Sequence, residues 1–125
     1  MKISGMVITP ITLEWKKTIS ESFGEVGKKE DDVIVQIFTD DGLYGLGEAQ
    51  TLGPFYGRES QGTVMAIIAE HFWPKVLKEE DPFNIDLIHH KMNKTVSENS
   101  FAKTAVDIAL HDIVAKSLNV PVSRI

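Results

Sequence analysis

The sequence contains no cysteine. Disulfide cross-links, thiolate zinc sites and cysteine nucleophiles are therefore excluded from these 125 residues. Basic residues are also few. Thirteen Lys and Arg stand against eighteen Asp and Glu, and they are scattered rather than banked into a patch. Neutralising phosphates takes clustered cations, so nucleic acid is not an expected partner. No apolar run approaches the roughly 18–20 residues that a membrane span needs, so no membrane partner is expected either. The opening MKISGMVITPITLEW has a single Lys and no apolar core ahead of a small-residue cleavage site. It reads as a first strand, and a cytoplasmic location follows.

What is present suits a single domain over 1–125 with one modest core. Residues 2–15 carry Ile3, Val7, Ile8, Ile11 and Leu13 around Pro10. Proline is tolerated at a sheet edge or a bulge, so this is an edge or bent strand. Lys16–Asp31 is polar, with Gly24, Gly27 and a lone aromatic, Phe23; it reads as a long mobile loop. Loops of that length are uncommon unless they do something, such as cover a site. Asp32–Thr39, DVIVQIFT, is a strong strand, Asp41-Gly42 a hairpin turn, and Leu43–Glu48 the returning strand. Ala49–Arg58 reads as a second loop, carrying Leu52, Phe55 and Tyr56.

From Glu59 the apolar spacing becomes helical: Val64, Ile67, Ile68, His71 and Phe72 form one stripe, broken at Pro74. Asn84 is placed to cap a helix reaching about Lys94, and Ser97 to cap a last one. That last helix places Ala102, Ala105, Val106, Ala109, Leu110, Ile113 and Val114 on one stripe and ends at Asn119 and Pro121. Its alanines let another backbone approach closely. Val122–Ile125 turns strand-like. The expected fold class is α+β, a three-stranded antiparallel meander followed by a small helical bundle.

Candidate chemistry is thin. In DDGLYGLGE the glycines run G-x-x-G-x-G inside a strand, not G-x-G-x-x-G at a strand-to-helix turn, so nucleotide binding is disfavoured. Gly42 supplies the turn, while Gly45 and Gly47 leave one strand face bare for a close neighbour. Glu48 has no carboxylate partner at a defined distance and reads as structural. Asp86, His89 and His90 lie within one helical turn, but zinc needs three or four convergent ligands and this spacing matches no known set. Asp107 and Asp112, five apart, point too far round their helix to share a metal; a solvated or interface ion pair with Lys103 or Lys116 is the preferred reading, and a bridge from Asp112 to a neighbouring element the alternative. No catalytic residue and no metal ligand is assigned. The two loops bearing aromatics, projecting from one end of the sheet, are what remains.

The order of parts resembles one family. The strand pair around Gly42, Gly47-Glu48, the loop with Tyr56 followed by Glu59, Asp81-Pro82 ahead of a helix, and above all AKTAVDIALHDIVAKSLNVPV over 102–122 look like the N-terminal capping domain of the enolase superfamily, in its mandelate racemase and muconate lactonizing enzyme branch. Asn119-x-Pro121 stands for the family's usual G-x-P, and His111 for its usual Trp. The resemblance implies a cap packed over a modified (β/α) barrel. The barrel carries the catalytic bases and the Mg2+ that stabilises an enolate, formed by removing the proton alpha to a carboxylate. A barrel takes about 250 residues, so the resemblance places catalysis and Mg2+ outside this chain, which is inactive alone and holds no cofactor itself. It implies an isomerase (racemase, epimerase or cycloisomerase) or a dehydratase, the protein's own barrel as partner, a small carboxylate substrate and a homo-oligomer. It assigns Phe23 and Gly24 in the first loop, and Leu52, Phe55 and Tyr56 in the second, to substrate selection. The rival expectation is a stand-alone, self-associating binding or scaffold module.

Overall fold

The computed structural model describes residues 1–21, 24–51 and 59–125, with the backbone alone described over 15–21 and 24–28. Three strands form one antiparallel sheet in the order β1 (Ile3–Glu21), β2 (Gly24–Thr39), β3 (Tyr44–Thr51). Helices follow: α1 (Gln61–Ala66), continued by a π-helical segment over Ile67–Leu77, then α2 (Ile85–Thr95) and α3 (Ser100–Leu118). The α+β meander expected from the sequence is the fold.

The period-2 pattern of the strands decides which side the helices cover. On β3, Gly45, Gly47, Ala49 and Thr51 are buried while Tyr44, Leu46, Glu48 and Gln50 are exposed. Val35 pairs with Gly47 and Ile37 with Gly45, so the buried residues of β2 and β3 share one face. Against that face lie Val64, Ile68 and Phe72, Ile88 and Met92 of α2, and the stripe of α3 from Ala102 to Ile113. The β2–β3 turn is tight: Gly42 has φ +90°, Thr39 N donates to Leu43 O at 2.9 Å, and the Thr39 hydroxyl donates to the Asp41 carboxylate. Position 42 thus needs the left-handed freedom of glycine.

Gly45 and Gly47 are where α3 comes closest. A Cβ at Gly47 would fall within the van der Waals envelope of the Ala105 carbonyl oxygen, and one at Gly45 within that of Ala109. Two small residues on the strand and two alanines on the helix bring backbone against backbone, as their spacing predicts.

Four local expectations are corrected. First, Lys16–Asp31 is not a loop. β1 runs on to Glu21 and β2 starts at Gly24, with pairs at Leu13–Glu30, Glu14–Lys29, Ile19–Gly27, Ser20–Glu25 and Glu21–Gly24. The pairing is made by backbone groups, and the polar sequence of 16–31 carries no apolar alternation to mark it as strand. Second, β3 continues past Glu48 to Thr51. Third, Pro74 lies inside the π-helical segment, which reaches Leu77 and closes with Lys78 N donating to Trp73 O at 3.0 Å, an i to i−5 bond. Proline lacks an N–H but keeps helical φ, so one missing bond in a wide turn does not end it. Fourth, Val122–Arg124 form a 3₁₀ turn rather than a strand.

Capping also departs from expectation. Asn84 precedes α2 but its side chain makes no capping bond. Ser97 is outside α3 altogether; Asn99 occupies the N-cap position, at φ 65°, and its side chain does not cap either. The groups that should be orphaned at the start of α3 are met by a residue forty positions away, described next.

Candidate functional site

The two segments expected to reach a substrate do leave the sheet at one end. Asp31 pairs with Thr12 on one side and with Thr51 on the other. Beyond that level the described strand pairing is between β1 and β2, and residues 52–58 follow Thr51 in the chain. The stem of the second segment is pinned from both sides. Before it, Thr51 donates its hydroxyl to Asp31 O and its N–H to Asp32 Oδ1 at 3.3 Å. After it, Glu59 is buried at 1% exposure and accepts from Phe101 N at 2.7 Å, Ala102 N at 3.4 Å and Asn99 Nδ2 at 3.3 Å. Glu59 therefore takes the place of an N-cap side chain on α3. Its neighbour Ser60 caps α1 in a reciprocal box with Thr63, and Gln61 Nε2 donates to Ile11 O and Asp32 O at 3.1 and 2.9 Å. Three consecutive residues, 59 to 61, thus tie the stem to α3, to α1 and to the sheet.

Between the two stems lies an open pocket of 400 Å³ lined by Leu13, Glu30, Asp32, Glu48, Gln50 and Ile108. Gln50 Nε2 donates to Glu30 Oε1 at 2.8 Å. Burial, hydrogen bonding to the Glu48 and Glu30 carboxyls and the charge of Glu30 push Asp32 up to about 8, against a smaller opposing effect of the Thr51 N–H. Asp32 then carries its proton near neutrality and shares it with the adjacent carboxyls. Glu48 lies on the exposed alternation of β3 beside this pocket; the stem of the second segment is held by Thr51 and Glu59.

This sets a pH dependence. The folded pKa of Asp32 is raised above the unfolded value of 3.8. Its contribution is fully present below that value and is lost as pH rises toward about 8, because the folded state binds the extra proton. Glu80, held below its ordinary 4.5 first by the Lys91 hydrogen bond, works in the opposite sense, but only in more acidic solution. The chain should therefore melt higher at about pH 5.5 than at about pH 8.5. Asp32→Asn should raise the melting temperature at the higher pH and flatten the difference. Thermal melts of both proteins across that range check this; an unchanged slope in the variant would rule out Asp32 as its source.

Of the residues expected to touch substrate, Gly24 is the first residue of β2, paired with Glu21 at the end of the arm, and so is strand rather than loop. Phe23, Leu52, Phe55 and Tyr56 lie outside the described residues. His89, considered above as a metal ligand, bonds through Nε2 to Asp107 Oδ1 at 2.6 Å, and His111 Nδ1 bonds to Asp107 O at 2.9 Å. Among the described residues no three His, Asp or Glu groups converge as metal ligands. Asp112 pairs with Lys116 Nζ at 3.1 Å and also bridges to a neighbouring element: Leu46 N donates to Asp112 Oδ2 at 2.9 Å, and Lys116 Nζ donates to Tyr44 O at 2.8 Å. Both bonds satisfy groups on the free edge of β3, the exposed side of an outer strand.

Residues 6–125 match the family described as mandelate racemase / muconate lactonizing enzyme, N-terminal domain. The chain belongs to the mandelate racemase / muconate lactonizing enzyme family. It is 43% identical over 94 residues to muconate cycloisomerase 1 of Acinetobacter baylyi, covering 74% of this chain and 25% of that protein. It is 37% identical over 124 residues to a chloromuconate cycloisomerase of Pseudomonas putida, covering 98% and 33%. The crystal structure of a dipeptide epimerase from Enterococcus faecalis, complexed with Mg and L-Leu-L-Tyr, superposes with a TM-score of 0.91 at 29% identity, covering 99% of this chain and 34% of that one. The chain spans about a third of the length of such family members or less. Cycloisomerases and epimerases share this domain, so the domain alone marks the family and not the reaction.

Glu59 and Asp32 are the positions that sequence reasoning missed. A signal existed for the first: a charged residue directly ahead of a Ser-x-x-Thr cap. None existed for the second, since its burial depends on the β1–β2 arm being strand.

Proposed function

We propose that this chain is the capping domain of a Mg2+-dependent enzyme that removes the proton alpha to a carboxylate. In this reading the cap lies over a C-terminal barrel, and the 16–31 arm and the 52–58 segment close on the substrate. The observation that carries it is the family match over 6–125 in a chain about a third as long as its relatives. The common exit of both segments from one sheet end, and the pinning of Thr51 and Glu59, support it as well. A cap must present its specificity elements from a rigid base.

The chain's own residues do not suit the cation. Mg2+ takes several oxygens in octahedral geometry, and among the described residues no three His, Asp or Glu groups converge on one point. Mg2+ is assigned to the barrel, and no proton transfer is assigned to this chain. The reading includes a small carboxylate substrate, a cytoplasmic location and a homo-oligomeric enzyme. Within the described residues, no helix is long and apolar enough to cross a membrane.

The test is a fusion in which this chain replaces the matched third of the Pseudomonas putida cycloisomerase. The fusion should turn over a carboxylate substrate with added Mg2+. Tyr56→Ala or Phe55→Ala in it should change the ratio of kcat/KM between substrates while leaving the melting temperature within a few degrees. A large fall in melting temperature with unchanged preference would make these rings packing residues and sink the specificity role. The chain alone should show no stoichiometric micromolar Mg2+ site by calorimetry; finding one overturns the division of labour.

A further inference from the structure

The pocket between the two stems sits at a joint in the sheet. Among the described pairs, Asp31 is the last residue of β2 partnered on both sides, and Glu30 the first partnered by β1 alone. Glu30 and Asp32 alternate to the same side of β2, as Glu48 and Gln50 do on β3, and Asp32 lies opposite Gln50. Glu30 and Asp32 are 6% and 1% exposed. Asp32 bonds to the carboxyls of Glu30 and Glu48, and Gln50 Nε2 ties Glu30 to β3 at 2.8 Å. An ionised carboxylate only accepts, so bonds among these carboxyls require a proton. The same Asp32 holds the stem of the second segment, because Thr51 N donates to its Oδ1 at 3.3 Å.

The surroundings offer no substitute for that proton. Leu13 meets the pocket from β1 and Ile108 from α3, and none of the lining residues is a cation. Lys29 and Asp31 lie on the other alternation of β2, where Asp31 Oδ1 accepts from the Thr12 hydroxyl at 2.8 Å. Gln61 reaches only the Asp32 carbonyl oxygen, and the Glu59 carboxylate is taken up by α3.

We propose that Glu30, Asp32 and Glu48 form a proton-held joint: one shared proton closes it, and the stem of the 52–58 segment opens with release of that proton. Asp32 is then a positioning residue, acting on a substrate only through Thr51 and the segment behind it. Without the proton, three negative charges face one another across β2 and β3. The consequence for a substrate rests on the capping reading; the joint itself belongs to this chain. The sign follows from linkage. Closed, Asp32 keeps its proton up to about 8; opened, it returns to the ordinary 3.8. Between these values opening becomes about tenfold easier per pH unit, and above the upper one the dependence ends.

Amide exchange of the intact chain reads this at Thr51. Expressed as a protection factor, which removes the base catalysis of exchange itself, protection at Thr51 should fall about tenfold per unit from about pH 5.5 to 7.5 and level off above about pH 8. Low urea should leave that exchange unchanged, the mark of a local opening, while it speeds exchange at the buried Val35. Asp32→Asn keeps the shape and the acceptor for Thr51 N, and should flatten the profile; Asp31→Asn should preserve it. If Asp32→Asn does not fold, Glu48→Gln, at an exposed position of β3, replaces it and should reduce the slope by more than about half. A profile that is flat in the parent, that survives these substitutions, or that follows urea as Val35 does overturns the joint. The fusion with the Pseudomonas putida cycloisomerase separates the two ideas. An inactive fusion whose Thr51 keeps the profile sinks the capping reading and leaves the joint; an active fusion with a flat Thr51 profile does the reverse.

Discussion

Gly47→Ala should destabilise this chain by about 3 kcal/mol or more and lower its melting temperature by about 10 °C or more. The added Cβ meets the carbonyl oxygen and carbon of Ala105 and the backbone N of Ala109. None of these is the flexible end of a side chain, so relief requires α3 to move off the sheet as a body. That movement would draw Ala105, Ala109 and Ile113 away from Val35 and Ile37, and would lengthen the 2.9 Å bond from Leu46 N to Asp112. Gly45→Ala should act in the same way, since Ile113 Cγ1 can give but the Ala109 carbonyl cannot. Two controls separate close approach from generic glycine effects. Gly62→Ala, with only Ser60 Oγ at 3.9 Å, should be neutral or gain up to about 1 kcal/mol from helix propensity. Gly42→Ala, at φ +90° with open space around it, should cost about 1 kcal/mol from backbone strain alone. Urea unfolding of the four variants ranks them. If Gly47→Ala falls with Gly42→Ala rather than well beyond it, α3 is not held against β3 by backbone contact.

These glycines also mark what a sequence of this kind discloses. A residue that would clash leaves a trace in composition: Gly45, Gly47, Ala105 and Ala109 are small because a backbone approaches, and their spacing on a strand and on a helix can be read directly. Burial against a continuous layer leaves a trace too, which is why β2 and α3 are legible. The distal arm leaves none. Its pairing is made by backbone groups that every residue carries, so Ser20–Glu25 in a strand looks the same as Ser20–Glu25 in a loop. Asp32 was illegible for a related reason. Its raised pKa comes first from burial, then from Glu48, sixteen residues on, and from Glu30, brought beside it by the register of the strands. Family resemblance marked the domain, whereas the pinning residues Thr51 and Glu59 are set by contacts between elements far apart in sequence. The 52–58 segment is therefore defined at present by its anchors, and the anchors are where its role can be probed without touching the segment.

The more demanding of those probes is Glu59. Its carboxylate is 1% exposed and accepts from two backbone N–H groups of α3 and from the Asn99 amide. Burying a carboxylate is costly unless hydrogen bonds replace its water, and here the donors belong to a helix N-terminus, where the aligned peptide dipoles favour negative charge. Glu59→Ala removes the acceptor but leaves its donors behind a closed surface. An unsatisfied buried N–H costs about 1–3 kcal/mol, so the variant should lose about 3–4 kcal/mol, and amide exchange at Phe101 and Ala102 should accelerate well beyond the global change. Glu59→Gln keeps one oxygen and turns an NH2 toward the donors, so about half that loss is expected. Ser97→Ala, at the position whose sequence suggests a cap, should cost nothing measurable because Ser97 is exposed and outside α3. A Glu59→Ala variant within about 0.5 kcal/mol of the parent would mean that desolvation of the carboxylate cancels its bonds, and that the start of α3 is held by packing alone. With the predicted loss, residue 59 is the rigid end from which segment 52–58 is hung, and in the fusion described above the same variant should raise KM before it lowers stability enough to unfold the cap. That ordering follows from the connectivity: the anchor joins the segment directly, whereas the core between α3 and the sheet is held independently by Gly45, Gly47 and the alanines facing them.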